Sequence, residues 1–294
     1  MKILMTYLPV RLAPALLIIA AVCTPNASNA ADRETVFVSI APQKFLVERL
    51  AGDAVRVHVL LPSGASPATY EPTPKQMAAL SAASLFLQIG APFEAPLLGK
   101  ISSLMPDLHM VDCRSGVELE PMDDHAHAHG DAFFDPHIWL DPLRMKVVAS
   151  TTADALAVLL PEAGREIRQN LQGLLSAIDQ THEQIVSILE PFAGESILVF
   201  HPAFGYFTRR YGLHQVAVED EGKAPSARRL AAVISTFDDG EVTAIFVQPQ
   251  FSASAAQRVA DALGCEVVIL DPLAEAYLAN LEIMADRISA SLRK

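Results

Sequence analysis

The residues able to do chemistry concentrate between positions 125 and 142, HAHAHGDAFFDPHIWLDP. His125, His127 and His129 alternate with alanine, and His137 follows Pro136 beside Trp139, the only tryptophan. Four of the nine histidines fall in this one stretch. A neutral imidazole nitrogen binds transition metals, and short His-rich tracts read compositionally as metal-handling segments. Two further polar residues share the setting of His137. His201 follows the apolar run SILVF, Asp271 follows VVIL, and each precedes a proline. In open α/β sheets, ligands bind beyond the carboxyl ends of the strands. A single residue in such a place is ordinarily a turn or cap residue. Together, His137, His201 and Asp271 make a nitrogen and oxygen donor set. It suits zinc, and imidazole also serves copper, nickel and iron.

Such a set needs elements that bring strand ends together. TVFVSI (35–40), VRVHVLL (55–61), LFLQI (85–89) and residues 109–111 read as strands, with helices over 43–50, 75–82 and 94–104. Strands alternating with helices predict parallel βαβ units. His58 lies within the second strand and reads as structural. The Pro-, Gly- and Ser-rich loop 62–74 delivers Tyr70, Glu71 and Pro72. From Pro142 to Leu160 the pattern is helical, and Pro161 suits the first turn of a second helix. Ile167, Leu171, Leu174, Ile178, Ile185 and Leu189 keep helical spacing within it. A helix of nearly 30 residues is about 45 Å long, enough to cross two lobes. Strands then return at 196–200, 214–218, 244–248 and 266–270, with helices over 203–211, 226–237, 252–263 and 274–292 and a polar loop at 219–225. The expected fold is α/β, two parallel-sheet lobes of about four strands each. One long helix bridges them, and the metal cleft lies between.

Lys2 and Arg11, the apolar run 12–22 and Ser28-Asn29-Ala30 form a signal peptide with cleavage after Ala30. The apolar run is far short of the roughly 20 residues a spanning helix needs. The expected divisions are a leader (1–30), a first lobe (31–141) carrying a mobile His-rich loop (119–131), a helical link (142–194) and a second lobe (195–294). Losing Lys2 and Arg11 moves the formal charge from −12 to −14. An acidic surface argues against nucleic acid and anionic lipid, and it is compatible with attracting cations or with solubility alone. Cys113 and Cys265 are too few for a disulfide framework, and each reads as a buried free thiol.

Four segments carry a family resemblance: LPSGASPATYEPTPKQ (61–76), DPHIWLDP (135–142), VFHPAFGYFTRRYGL (199–213) and VVILDPL (267–273). With the His-containing acidic loop before the second, they make the chain resemble the metal-binding solute-binding proteins of bacterial ABC importers, of the zinc-uptake (ZnuA/TroA) type. The resemblance covers the whole chain after the leader. It implies two four-stranded lobes joined by a long helix, with His137, His201 and Asp271 as ligands. It also implies a periplasmic, monomeric carrier that is not an enzyme and that hands its ion to an inner-membrane permease. Histidine at position 201 implies Zn²⁺ rather than Mn²⁺ or another divalent metal.

One position departs from the family pattern, which has histidine where this chain has Ala68. Water, Glu71 or one of His125, His127 and His129 can take that ligand position. An open position on zinc also admits a hydrolase, although no HExxH motif occurs. A periplasmic metal chaperone or an adhesin on the same fold is a third reading.

Overall fold

The computed structural model describes residues 33–122, 134–219 and 242–293, together with 226, 228, 231, 232, 235 and 237. The leader, His125, His127, His129 and most of the expected 226–237 helix therefore lie outside the described residues.

Among the described residues, eight short strands form two sheets. The first holds β1 (Glu34–Val38), β2 (Val55–Val59), β3 (Leu85–Gln88) and β4 (His109–Asp112) in the order β2-β1-β3-β4. The second holds β5 (Ser196–Val199), β6 (His214–Ala217), β7 (Ala244–Val247) and β8 (Glu266–Ile269) in the order β6-β5-β7-β8. All their pairings are parallel. The two lobes thus repeat one topology that no sequence repeat announces. In each sheet the order reverses between its first and third strands, where an open α/β sheet has its ligand crevice.

The α-helices whose bounds the described residues give are α1 (Ala41–Ala51), α2 (Pro74–Leu80), α3 (Ala95–Leu104), α4 (Pro142–Leu159), α5 (Gly164–Leu189), α6 (Gly205–Arg210), α7 (Ala253–Leu263) and α8 (Tyr277–Leu292). Several expected boundaries move, and for two of them the local reason is plain. β1 stops at Val38 because the backbone N–H groups of Ser39 and Ile40 donate to Gln43 Oε1 (3.0 and 3.3 Å), which turns the chain into α1. The expected 203–211 helix shortens to α6, since Ala203 N–H donates to the His201 carbonyl (2.8 Å) in a tight turn at Pro202.

α5 is the long helix that the apolar spacing predicts, unbroken over 26 residues with 3₁₀ turns at both ends (Pro161–Ala163 and Glu190–Phe192). Its buried face includes Ile167, Leu174, Ile178, Ile185 and Leu189. It packs against α1, α4 and α8, so it touches elements of both lobes. At the start of α4, Asp141 Oδ1 accepts Leu143 N–H (2.9 Å) and caps the helix. His58 stacks on Phe37 with ring centroids 5.1 Å apart, the structural role its position predicts. Cys113 and Cys265 are free thiols. Cys113 is buried as expected, whereas Cys265 is only half-buried. No helix among the described residues is long and apolar enough to cross a membrane.

Candidate metal centre

His201 is the second residue beyond β5, and the ladder between β5 and β6 prepares its surroundings. Val218 N–H donates to Val199 O and Glu219 N–H to Phe200 O, both at 2.9 Å, so the pairing continues past the strand ends. It delivers the buried Glu219 carboxylate to Nδ1 of His201. A carboxylate only accepts, so Nδ1 carries the proton and Nε2 keeps the lone pair. Phe251 lies along one ring face, with centroids 5.2 Å apart. Gln248, buried at the end of β7, donates from Nε2 to the His201 carbonyl (2.9 Å).

His137 is held in the same way by residues nearer in sequence. Asp135, also buried, accepts through Oδ1 from the His137 backbone N–H (2.9 Å) and from Nδ1–H (2.7 Å). Here too Nε2 becomes the lone-pair nitrogen. Such carboxylate–imidazole pairs orient metal-binding histidines and raise their basicity.

The two imidazoles meet edge to face, with centroids 5.5 Å apart and planes at 76°. Two imidazoles sharing one tetrahedral zinc place their centroids roughly 5 Å apart, given Zn–N near 2.0–2.1 Å. The spacing and donor chemistry of this pair therefore fit zinc.

Asp271 follows β8 by two positions. Its Oδ1 accepts from Leu273 N–H (2.9 Å) and from Gln250 Nε2 (3.4 Å). Trp139 ties this segment to that of His137: its Nε1–H donates to Pro272 O (2.8 Å), and Tyr277 O–H donates to Trp139 O (2.7 Å). The structure thus pairs His137 with His201 and brings Asp271 to the adjoining segment. Among the described residues, no three His, Cys, Asp or Glu side chains are grouped closely enough to hold one ion.

Ala68 and Glu71 are exposed on the loop after β2. Gln76 anchors that loop. Its Nε2 donates to Leu60 O (2.9 Å), and its Oε1 accepts from Tyr70 O–H (2.7 Å) and Thr73 N–H (3.0 Å). No hydrogen bond among the described residues joins Ala68 or Glu71 to His137, His201 or Asp271.

The approach to the His-rich stretch is firmer than expected. The sequence places Leu119–Met122 in a mobile loop, yet Pro121 pairs with Phe134 in an antiparallel bridge and Met122 is buried. Glu120 N–H donates to the Tyr206 hydroxyl (2.8 Å), and Asp135 N–H donates to Glu120 O (2.9 Å). The Glu120 carboxylate pairs with Arg144 and Arg209, whose guanidinium groups lie 4.7 and 5.3 Å from the centre of the Tyr206 ring. Below them, fully buried Asp141 accepts from Arg210 through both oxygens (3.0 and 2.7 Å) and from Arg144.

From sequence, Asp135 reads as a turn residue and Glu219 stands at the edge of a polar loop. Asp135 does close the turn and also orients His137. Glu219 carries a sequence signal only once β5 and β6 are known to pair in parallel, because nothing local links it to His201.

A match to the family described as "Zinc-uptake complex component A periplasmic" spans residues 36–291. The chain is 28% identical over 254 residues to a "Putative metal-binding protein" of Chlamydia muridarum, covering 86% of this chain and 90% of that protein. It is 28% identical over 299 residues to the high-affinity zinc uptake system protein ZnuA of Yersinia pestis, covering 92% of each. A crystal structure of ZnuA superposes with a TM-score of 0.81 at 36% identity, covering 88% of this chain and 99% of that one. The periplasmic zinc-binding protein TroA from Treponema pallidum shares the fold, with a TM-score of 0.79 at 21% identity over 89% of this chain and all of that one.

Proposed function

The chain belongs to the family of periplasmic zinc-uptake complex component A, and we propose that it is the solute-binding component of an ABC importer. It captures Zn²⁺ in the periplasm and delivers it to a permease in the inner membrane. The observation that carries this reading is the adjacent pair His137 and His201, each with Nδ1 held by a buried carboxylate. His137, His201 and Asp271 are the proposed ligands. The fourth position, which Ala68 leaves open, falls to water, Glu71 or one of His125, His127 and His129. The exported chain divides into the first lobe (31–141), the helical link (142–194) and the second lobe (195–294), after a leader cleaved near Ala30. It acts as a monomer.

The ion is cargo, and the chain works as a carrier rather than an enzyme. A zinc hydrolase needs a general base beside the metal-bound water. Asp135 and Glu219 instead accept the Nδ1–H of the two histidines. The test is metal analysis of the purified chain with a zinc-edge diffraction map. The reading expects one tightly held zinc between His137, His201 and Asp271. Strong zinc density elsewhere, or no zinc after equilibration, overturns it.

A further inference from the structure

The three proposed ligands share a geometric property. Each imidazole gives one donor atom, because Asp135 and Glu219 occupy Nδ1 of His137 and His201. A carboxylate offers one oxygen or two, and the choice sets how many donors an ion receives. Among the described residues, Oδ1 of Asp271 accepts from Leu273 N–H (2.9 Å) and, at 3.4 Å, from Gln250 Nε2, and no hydrogen bond reaches Oδ2. An oxygen that already accepts two hydrogen bonds is a poor metal ligand, and Oδ2 is the one left to the ion. Gln250 ends the three-residue exit from β7, Gln248-Pro249-Gln250, whose first residue holds the His201 carbonyl. One short segment with a proline at its centre thus supports two of the proposed ligands.

We propose that Gln250 is a positioning residue that determines metal preference. With the Leu273 backbone it restricts Asp271 to one ligating oxygen, so the site favours zinc over divalent ions of higher coordination number. The inference rests on the proposed ligand set. Three single-atom donors, with none from Ala68, need one further ligand to give zinc its usual four. Manganese suits octahedral, oxygen-rich sites, and a two-oxygen carboxylate is one way to supply them. Removing the Gln250 donor leaves Oδ1 with the Leu273 N–H alone, so that oxygen has a lone pair to offer the ion and the discrimination relaxes.

The test substitutes Gln250→Met, which keeps the length of the side chain and removes the donor. Parent and variant are titrated with Zn²⁺ and with Mn²⁺ against a competing chelator. Zinc-edge absorption reports the oxygen ligands, and the unfolding temperature of the metal-free forms reports the fold. Zinc affinity is expected to fall about 10-fold, the lower end of what outer-shell losses cost. Manganese affinity is expected to hold or rise, with one more oxygen around zinc. Equal losses for both ions, or an unchanged ratio, overturn the proposal. If the metal-free variant unfolds at a lower temperature, Gln250→Leu replaces it, and the same changes in the two affinities support or overturn the proposal. Asp271→Asn separates the ligand set from the role of Gln250. Unchanged zinc affinity there overturns both the ligand set and this inference. A loss there with an unchanged ratio in Gln250→Met overturns this inference alone.

Discussion

Glu219 and His201 stand at the carboxyl ends of adjacent parallel strands, and the β5–β6 ladder itself brings the carboxylate to the imidazole. The tautomer of a proposed ligand is thereby fixed by sheet register rather than by a loop. Sheet register is strongly specified wherever a face is buried, because a one-residue slip turns every side chain over.

Glu219→Ala is expected to weaken zinc binding by about 10- to 100-fold, as losses of outer-shell partners do. Glu219→Gln keeps an acceptor for Nδ1–H and is expected to lose less. Competitive zinc titration of both variants decides. Equal affinities in Glu219→Ala and the parent would show that the contact does not orient a ligand.

For the ligands themselves, His137→Ala, His201→Ala and Asp271→Ala should each weaken zinc binding, and Ala68→His should tighten it. A preorganised protein donor avoids the ordering cost of a mobile one. The size of the gain in Ala68→His reports the present occupant of the open position. A large gain means water, and a small one means Glu71 or a histidine of the 125–129 stretch. Unchanged affinity in all three alanine variants moves the ion out of the cleft.

Deleting residues 123–130 removes His125, His127 and His129 together. The expected result is a lower total zinc stoichiometry or slower capture, with the metal-free unfolding temperature preserved. Loss of all zinc binding would make one of these histidines a primary ligand.

Asp141→Ala is a stability test away from the ligands. Removing one partner of a buried ion pair costs about 3–5 kcal/mol. Arg210 here is partly exposed (31%), which points to the low end, about 3 kcal/mol. Thermal or denaturant unfolding of the metal-free chain measures it, and a loss below roughly 1 kcal/mol, the scale of a surface pair, would contradict the burial argument.

The cysteines give a prediction in pH. Burial pushes the Cys113 thiol from its ordinary 9.0 up to about 12, and burial also raises Cys265. A thiol raised on folding contributes stability that is fully present below its unfolded value and is lost as pH rises through the folded one. For Cys113 the loss therefore runs from about pH 9 to about 12. At pH 8 a thiol reagent should modify half-buried Cys265 first and reach Cys113 only as the chain unfolds. Reductant should leave the unfolding temperature unchanged, since both thiols are free.

The elements were legible where one short-range signal governs them. The four-residue strands β5 and β7 sit inside continuous apolar runs, and the buried residues of α5 keep helical spacing over its whole length. Thr73 and Gln76 cap each other at the start of α2, a pattern visible in the sequence as T-P-K-Q. His137, His201 and Asp271 could be picked out as proposed ligands because each stands beside a proline at the end of an apolar run or turn. The supports of these residues were not. Glu219, Gln248 and Gln250 act 18, 47 and 21 residues from their partners, across strand pairings that local patterning does not encode. The tie of Leu119–Met122 to α6 was hidden for the same reason.

A rod of 26 residues, about 39 Å at 1.5 Å per residue, runs through the molecule as α5. Its buried residues pack with α1, α4 and α8. A wide jaw-like closure around the ion would have to strip that packing or bend the rod, and nothing in its interior resembles a proline kink. Arrival of cargo is then expected to show itself mainly as lost side-chain and loop freedom around the cleft, which hydrogen exchange of the metal-free and zinc-loaded chain would measure. What a docking partner can sense is a difference in order more than in outline, and a change in entropy serves that purpose as well as a change in shape.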